Sequence, residues 1–394
     1  MNLSPCRNFL ETYPDTAVLF GDDIRTAWCE LLLARQTRSA ALFTGRQSAD
    51  QTGNFSRFAA LTAELPVEFN RFSAIPAEPD IATIRKMVEF LDAKRPDTVV
   101  ALGGGSAMDA AKAAYLCWQT GCDVTEFFGS DRALERFKDR SPDRVICFPT
   151  TAGTGSEVTL YSNIVDRERG VKKLISDPLI IPRYSFVMPS MMADVPVSVR
   201  RATGCDALAH LTEGFLNIIQ DQVRPDVNTW AKAGIRLIVE NLPKVLTNPT
   251  PDSIAAMAMA STLGGMVIRF KSTGLPHLCS FSWFGRIEHG TAAAKLIPAS
   301  WRYYLGRKEV AEKTMELAEF FPGKTPAEVV ASFRNFLTRC GVAPRLHQYP
   351  DLTPELFEKT ARSAEENPMK LKLAPRPVDP KEAYQVIKTI LAES

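Results

Sequence analysis

The chain has 394 residues, enough for two or three core-forming units, so two domains are expected. Hydrophobic residues make up 45%, charged residues 23% and the net charge is +2, which is typical of a globular protein and offers no basic face for nucleic acid. No stretch approaches the roughly 20 apolar residues that cross a bilayer, and the first residues lack the blocks of a signal peptide, so no membrane partner and a cytoplasmic location are expected.

The first half of the chain alternates short β-rich runs with helical patterns. The predicted strands cover residues 17–20, 40–44, 98–102 and 145–148. A helical pattern at residues 81–93 separates the second strand from the third. This alternation is typical of a parallel sheet covered by helices.

After Pro189 the β signal disappears. Apolar residues then recur at helical spacing, which predicts a series of helices. These cover residues 206–219, 227–241, 253–268, 308–321, 326–340 and 380–392. The sequence therefore predicts an α/β N-terminal domain, residues 1–188, and an all-α C-terminal domain, residues 189–394.

The third predicted strand runs directly into Gly103, Gly104, Gly105 and Ser106, and a helix bearing Asp109 follows. Glycines let the backbone pass close to a ligand. We expect Ser106 to cap the helix, with Asp109 as its capping-box partner. The amide groups and dipole at this helix end would favour a pyrophosphate. The alternative is a tight turn that only joins strand to helix.

A second polar loop, residues 149–159, follows the fourth strand and contains Thr150, Thr151 and Thr154. Its hydroxyl groups and glycines suit hydrogen bonds to ribose and phosphate oxygens, although such a loop can also simply cap its own helix. Ligands of this kind bind at the carboxyl ends of parallel strands. Two such loops after adjacent strands together favour a Rossmann-like, dinucleotide-binding domain.

The second strand ends at Gly45 and Arg46, the position at which a dinucleotide-binding fold usually contacts the adenosine ribose. An acidic residue there would bind the two ribose hydroxyls and repel a 2′-phosphate. Glycine and arginine leave space and a positive partner for that phosphate. The sequence therefore favours NADP(H) over NAD(H), with a plain solvated arginine as the alternative.

A metal-binding pattern lies in the helical half, where three of the four histidines lie within 80 residues of one another. Asp206 and His210 are four residues apart, so on a helix their side chains share one face. His277 and His289 each lie near a predicted helix end. One carboxylate and three imidazoles suit Fe(II) or Zn(II), and spare coordination space would admit a substrate oxygen. By itself, the Asp206–His210 pair also fits an exposed helical pair.

Four stretches resemble the iron-containing (group III) alcohol dehydrogenase family, within the dehydroquinate-synthase-like fold. They are residues 103–112 (GGGSAMDAAK), 149–159 (PTTAGTGSEVT), 202–213 (ATGCDALAHLTE) and 287–294 (IEHGTAAA). The resemblance implies a cofactor domain, a helical metal-binding domain and at least a dimer. It implies that the metal ligands are Asp206, His210, His277 and His289. It also implies that the cofactor contacts are Gly104, Gly105, Ser106, Asp109, Thr150, Thr151 and Thr154, with Lys173 near the ribose.

The chain departs from the family pattern at three places. The spacing of His277 and His289 is shorter than usual, and Phe281 stands where a further histidine is common. Met188-Pro189 replaces an Asp-Pro pair. The first two departures reshape the substrate pocket and leave the proton path without its usual imidazole.

The resulting expectation is a metal-dependent, NAD(P)-linked alcohol dehydrogenase acting on a small aldehyde and its primary alcohol. Arg269, Lys271 and Arg286 lie in an aromatic-rich segment, so one hypothesis adds an anionic tail (sulfonate, phosphonate or carboxylate) on the substrate. The alternative is that these cations are solvated. Two rival functions are a dehydroquinate-synthase-like lyase or cyclase and a non-catalytic homologue that binds metal or nucleotide.

Overall fold

The computed structural model describes residues 3–138, 142–343 and 345–394. The chain divides into two compact units, Met1–Pro196 and Val197–Ser394. The division falls after the predicted residue 188 because the following segment is bonded to the first unit. Met191 O accepts a hydrogen bond from Asn54 Nδ2 at 2.7 Å, and Ser190 N donates to Asp22 Oδ1 at 3.0 Å.

In the described part of the first unit, nine strands form two sheets. The strands are β1 (Ala17–Phe20), β2 (Ser39–Gly45), β3 (Glu68–Ile75), β4 (Thr98–Gly103), β5 (Gly129–Ser130), β6 (Ile146–Pro149), β7 (Tyr161–Asp166), β8 (Val171–Ser176) and β9 (Tyr184–Val187). The larger sheet has the order β1-β9-β6-β4-β2-β3, and every neighbouring pair is parallel. The smaller sheet has the order β5-β8-β7.

The helices of the first unit flank the larger sheet. They are α1 (Ser4–Glu11), α2 (Arg25–Ala34), α3 (Ser48–Gln51), α4 (Asn54–Thr62), α5 (Ile81–Lys94), α6 (Gly105–Thr120) and α7 (Arg132–Phe137). Alternate residues of the central strands enter two separate cores: Val99 and Ala101 pack with α5 and α6, whereas Val100 and Leu102 pack with Trp28 of α2. Because both faces of the sheet are covered, the α/β prediction is confirmed.

Strand order brings the predicted cofactor loops to one edge of the sheet. The chain passes from β2 outward to β3, and then returns to the other side of β2 with β4 and β6. Such a reversal marks the ligand-binding edge of open α/β sheets. Thr44 is paired with Leu102, and Gly103 with Pro149, so the ends of β2, β4 and β6 are adjacent.

The described part of the second unit contains helices and no strand, as predicted. The helices are α8 (Val197–Leu216), α9 (Val227–Thr247), α10 (Pro251–Phe270), α11 (Leu275–Ser280), α12 (His289–Tyr304), α13 (Lys308–Thr314), α14 (Pro326–Arg339), α15 (Pro354–Ser363), α16 (Pro368–Lys372) and α17 (Pro380–Glu393). The helix predicted over residues 308–321 stops at Thr314, where a 3₁₀ turn begins.

Helix α8 is the central helix of this unit, because every residue from Gly204 to Leu216 is buried. Polar side chains in that stretch are therefore held away from water. Helix α10 is long and apolar enough to cross a membrane, but 78% of its apolar window is buried inside the protein, so packing accounts for its hydropathy.

Candidate metal centre and cofactor loops

Three polar side chains lie on one face of the buried helix α8. Asp206, His210 and Glu213 occupy positions i, i+4 and i+7, and their exposed fractions are 3%, 6% and 2%. The alternative of an exposed Asp206–His210 pair is therefore wrong. The sequence prediction did not include Glu213, although its i+7 spacing from Asp206 was the signal that could have found it.

Two shorter elements bring the other histidines to this face. His277 lies on α11, and His289 is the first residue of α12. The approach of α12 to α8 depends on Gly290, because a Cβ atom there would meet Ala202 O at 2.1 Å and Asp206 Cβ at 2.5 Å. A glycine beside His289 thus allows its imidazole to reach Asp206.

The four predicted ligand residues converge on one position. Asp206 Oδ1 lies 3.5 Å from His277 Nε2, 3.7 Å from His210 Nε2 and 3.9 Å from His289 Nε2. Donor atoms bound tetrahedrally at about 2.1 Å from one ion are about 3.4 Å apart. The observed separations are close to that spacing and are too long for good hydrogen bonds. Asp206, His210 and His277 also meet the geometric criterion for a metal-binding group.

Buried atoms without partners support the same interpretation. Among the described residues, Asp206 Oδ1 and His277 Nε2 are buried, lie 3.5 Å apart and have no hydrogen-bond partner. Buried polar atoms are normally partnered, so orphans in one cluster indicate a missing ligand. An oxygen and imidazole nitrogens are the donors that Fe(II) and Zn(II) accept, so the residues fit a divalent ion.

The electrostatics also favour a positive charge at this position. Burial opposes ionisation of Asp206, but the surrounding histidines outweigh it and hold the pKa of this carboxyl well below its ordinary value. Burial also opposes protonation of His277, but Glu213 and Asp206 outweigh it and raise the pKa of the imidazole to about 9. For His210 burial prevails and lowers the pKa to about 4.

Phe281 lies against the cluster as an apolar wall. Its ring stacks on the imidazole of His289, with the centroids 5.9 Å apart and the planes 10° from parallel. Beside it, Ser280 Oγ donates to His277 O at 2.9 Å and lies 3.3 Å from His289 Nδ1. A phenyl ring at this position can neither donate nor accept a proton.

The three cations considered for an anionic substrate tail have different surroundings. Lys271 is 1% exposed, and its ammonium pairs with Asp221 Oδ1 at 2.6 Å. Its inclusion among the cations that could bind an anionic substrate tail was therefore wrong. The guanidinium of Arg269 lies 5.2 Å from the ring centroid of Phe270. Arg286 is exposed on the segment that leads into His289.

The glycine turn after β4 is filled by the second polar loop. A Cβ atom at Gly104 would meet Thr151 Oγ1 at 2.9 Å, and one at Gly105 would meet Thr154 Cγ2 at 2.6 Å. Thr150 N also donates to Gly103 O at 3.0 Å. The structure thus brings these predicted cofactor residues together at the carboxyl edge of β4 and β6.

The predicted capping box is wrong. Helix α6 begins at Gly105 with Gly104 as its N-cap, and Ser106 Oγ instead donates to Ala77 O. Asp109 is buried and accepts from Ser156 Oγ at 2.5 Å and from Asn163 N at 2.9 Å. Its carboxylate therefore fixes the second polar loop and β7 to the helix.

The remaining predicted cofactor residues are more dispersed. Gly45 ends β2 and is half-buried, and Arg46 beyond it is exposed, with no ion pair among the residues that the structure describes. Lys173 lies on β8, opposite Ile164, in the smaller sheet. No hydrogen bond or ion pair within the described ranges links Lys173 to either cofactor loop.

The fold and the site define a class of protein. It combines an open parallel α/β sheet, with glycine and threonine loops at its switch point, and a helical unit whose buried Asp and His residues fit a divalent ion. The comparisons with known proteins agree with this class. A family model described as iron-containing alcohol dehydrogenase matches residues 15–189, and one described as Fe-containing alcohol dehydrogenase family, C-terminal, matches residues 201–391.

Individual relatives show the same similarity. The chain is 30% identical over 292 residues to aldehyde-alcohol dehydrogenase 2 of Entamoeba histolytica, covering 68% of this chain and 33% of that protein. It is 29% identical over 263 residues to a 1-propanol dehydrogenase of Salmonella typhimurium, covering 65% of each. The structure of an iron-containing alcohol dehydrogenase from Thermotoga maritima matches with a TM-score of 0.82 and 27% identity, over 96% of this chain and 99% of that one.

The chain belongs to the iron-containing alcohol dehydrogenase family. It spans 33% of the length of two aldehyde-alcohol dehydrogenases that it matches and 27% of the length of a third.

Proposed function

We propose that this protein is a metal-dependent, NAD(P)-linked alcohol dehydrogenase that interconverts a small aldehyde and its primary alcohol. The observation that carries the proposal is the convergence of three imidazole Nε2 atoms within 3.5–3.9 Å of Asp206 Oδ1. In this proposal the first unit binds the cofactor and the second unit binds the metal. Family membership supports the reaction class, and the 1-propanol dehydrogenase relative supports a short-chain substrate.

Asp206, His210, His277 and His289 would hold Fe(II) or Zn(II). When bound, the ion supplies Lewis-acid polarisation of a carbonyl oxygen, and the nicotinamide supplies the hydride. Phe281 places an apolar ring against the imidazole of His289 and cannot supply a proton. Protonation of the substrate oxygen would therefore fall to water or to a group other than residue 281.

We assign the cofactor to the adjacent ends of β2, β4 and β6. Gly104, Gly105, Ser106, Thr150, Thr151 and Thr154 would face its phosphates and ribose, with Asp109 holding the second polar loop in place. The proposed preference for NADP(H) rests on Gly45 and on Arg46, whose guanidinium is exposed and has no ion pair within the described ranges. Lys173 near the ribose remains a proposal that rests on the family resemblance alone.

An anionic substrate tail is a narrower proposal that now depends on Arg286. This residue is exposed and lies three positions before His289, whereas Lys271 is committed to Asp221. We expect Arg286→Ala to lower kcat/KM for a two-carbon aldehyde with a sulfonate or carboxylate, and to leave that for acetaldehyde unchanged. Equal effects on both substrates would exclude a contact between Arg286 and the anionic tail.

The central experiment is metal removal and restoration. Protein treated with a chelator should lose aldehyde reduction with both NADH and NADPH, and should regain it with Fe(II) or Zn(II). His210→Ala should not be restored by either ion, which controls for non-specific metal effects. Full activity after complete metal removal would refute the proposal.

The same assays separate the rival functions. A dehydroquinate-synthase-like lyase or cyclase oxidises its substrate only transiently, so net NAD(P)H consumption with simple aldehydes would exclude it. A non-catalytic homologue would bind metal and nucleotide without turnover. A homodimer or higher oligomer, which the family resemblance implies, is testable by sedimentation of the purified protein.

A further inference from the structure

We propose that Glu213 is a positioning residue that fixes the tautomer of His277, so that its Nε2 lone pair is available to a metal ion. This inference rests on the proposed metal centre and concerns a residue outside the four ligands. Glu213 lies one turn beyond His210 on α8 and is 2% exposed. A buried carboxylate needs partners, and those it has decide its effect.

Both oxygens of Glu213 are engaged. Oε1 forms a short contact with His277 Nδ1, and Oε2 accepts from Gly274 N at 2.6 Å. The Gly274 amide can only donate, which makes Oε2 an acceptor and leaves the carboxylate no freedom to turn. One side chain on α8 thus holds both the imidazole and the start of α11.

The chemistry of the pair sets the position of the imidazole proton. A carboxylate offers only acceptor sites, so His277 Nδ1 carries the hydrogen. In the neutral imidazole the lone pair is then on Nε2, the atom that lies 3.5 Å from Asp206 Oδ1 and has no partner among the described residues. The opposite tautomer would direct an N–H group at the ion and would prevent coordination.

The outer nitrogens of the other two histidines have different surroundings. His289 Nδ1 has a hydroxyl, Ser280 Oγ, at 3.3 Å, and His210 Nδ1 has no hydrogen-bond partner in the described part of the chain. A carboxylate on the outer nitrogen also makes an imidazole a more basic ligand. The contact with Glu213 therefore favours both the orientation and the basicity of His277 as a ligand.

Two variants separate tautomer control from support of the helix. Glu213→Gln keeps the shape, but its amide group has one acceptor where two are needed, so either His277 or Gly274 loses its partner. Tyr304→Phe is the matched control, because Tyr304 Oη accepts from Leu275 N at 2.9 Å and so anchors the start of α11 without touching the imidazole. Glu319→Gln is a second control, since this residue pairs with Lys232 and Arg236.

The experiment measures Zn(II) affinity of chelator-treated protein by competition with a chromophoric chelator, and the visible spectrum of the Co(II) form. We expect Glu213→Gln to weaken Zn(II) binding about 10–100-fold and to change the Co(II) bands, as losses of outer partners do in metal sites. The Zn(II) affinity of both control variants should stay within about threefold of wild type, a smaller change than the roughly 10–100-fold loss expected for Glu213→Gln. Wild-type affinity and spectrum in Glu213→Gln, or an equal loss in Tyr304→Phe, would overturn the inference.

A variant that cannot fold does not block the test. Glu213→Asp keeps the charge but is one methylene shorter, so it cannot reach both His277 and Gly274. If Glu213→Gln fails to fold, Glu213→Asp should bind Zn(II) more weakly than wild type, and unchanged affinity would overturn the inference. Failure of the proposed function looks different, because then the wild-type chain itself binds no divalent ion.

Discussion

Gly290→Ala is expected to damage the proposed metal centre although residue 290 is not one of its proposed ligands. Its Cβ atom would lie 2.1 Å from Ala202 O and 2.5 Å from Asp206 Cβ. Non-bonded atoms attract best at about 3.5–4.0 Å, so α12 must retreat from α8 by about 1 Å or more. His289 begins α12, so its 3.9 Å separation from Asp206 Oδ1 increases with it.

The magnitude follows from two effects. Overpacking of a close helix contact costs about 1–3 kcal/mol, and each kcal/mol lowers Tm by about 2–4 °C in a domain of this size. A misplacement of about 1 Å at a catalytic site costs about 100-fold in rate. We therefore expect a lower Tm for the metal-free protein, and a larger drop in Zn(II) affinity and activity than that Tm change alone would produce.

The assay compares thermal unfolding of chelator-treated and Zn(II)-loaded protein. Gly264→Ala is a matched control, because this residue faces the same helix but its Cβ would meet Ala207 O and His210 Cβ at 3.5 Å, an ordinary contact. The Gly264→Ala protein should be as stable as wild type or more stable by up to about 1 kcal/mol, because alanine is a better helix former than glycine. A Gly290→Ala protein with wild-type Tm and metal affinity would refute the reasoning.

Three further predictions concern charge and protons. Phe281→His places an imidazole beside His289, so the pH profile of aldehyde reduction should gain an inflection near pH ~6.5, and an unchanged profile would exclude this position from proton transfer. Arg46→Ala should raise KM for NADPH about tenfold or more and leave KM for NADH unchanged, because a charge-assisted hydrogen bond is worth about 1.5–3 kcal/mol; equal changes would count against a 2′-phosphate contact. Burial, reinforced by Lys313, lowers the pKa of Lys271 from 10.5 to about 8. The folded state therefore disfavours the protonated lysine, and this cost to the free energy of unfolding is relieved as the pH rises from about 8 to 10.5. The free energy of unfolding of wild type relative to Lys271→Met, measured in urea, should therefore rise over that range, and a flat difference would contradict the assignment.

Apolar runs predicted most strands of the larger sheet. Strands β2, β4 and β6 inside the sheet and β1 at its edge were predicted from such runs, whereas β9, which also lies inside the sheet, was missed. Strand β3 was missed because it is an edge strand whose residues are mostly half-exposed or exposed, so its sequence keeps Asn70 and Arg71 among its apolar residues. The pairing of β7 with β8 depends on contacts across a turn, which no local pattern specifies.

The convergence of Asp206 with the three histidines was predictable because histidine is rare in this chain and because Asp206 and His210 have helical spacing. The other partners of these side chains were not. Glutamate is common on helices, and only the buried position of α8 distinguishes Glu213 from a surface residue. The same holds for Lys271, whose pairing with Asp221 depends on how α8, α9 and α10 pack.

The interlocking of the two cofactor loops has a consequence for how this sequence can change. The space that a side chain at residue 104 or 105 would need is already occupied by Thr151 or Thr154. A larger residue in the first loop is compatible with the fold only if the facing threonine becomes smaller. The two loops thus form one unit: pairing either loop with a partner that has a side chain at residue 104 or 105, or a larger residue at 151 or 154, would place two side chains in the same space, whereas transferring both loops together would preserve their fit.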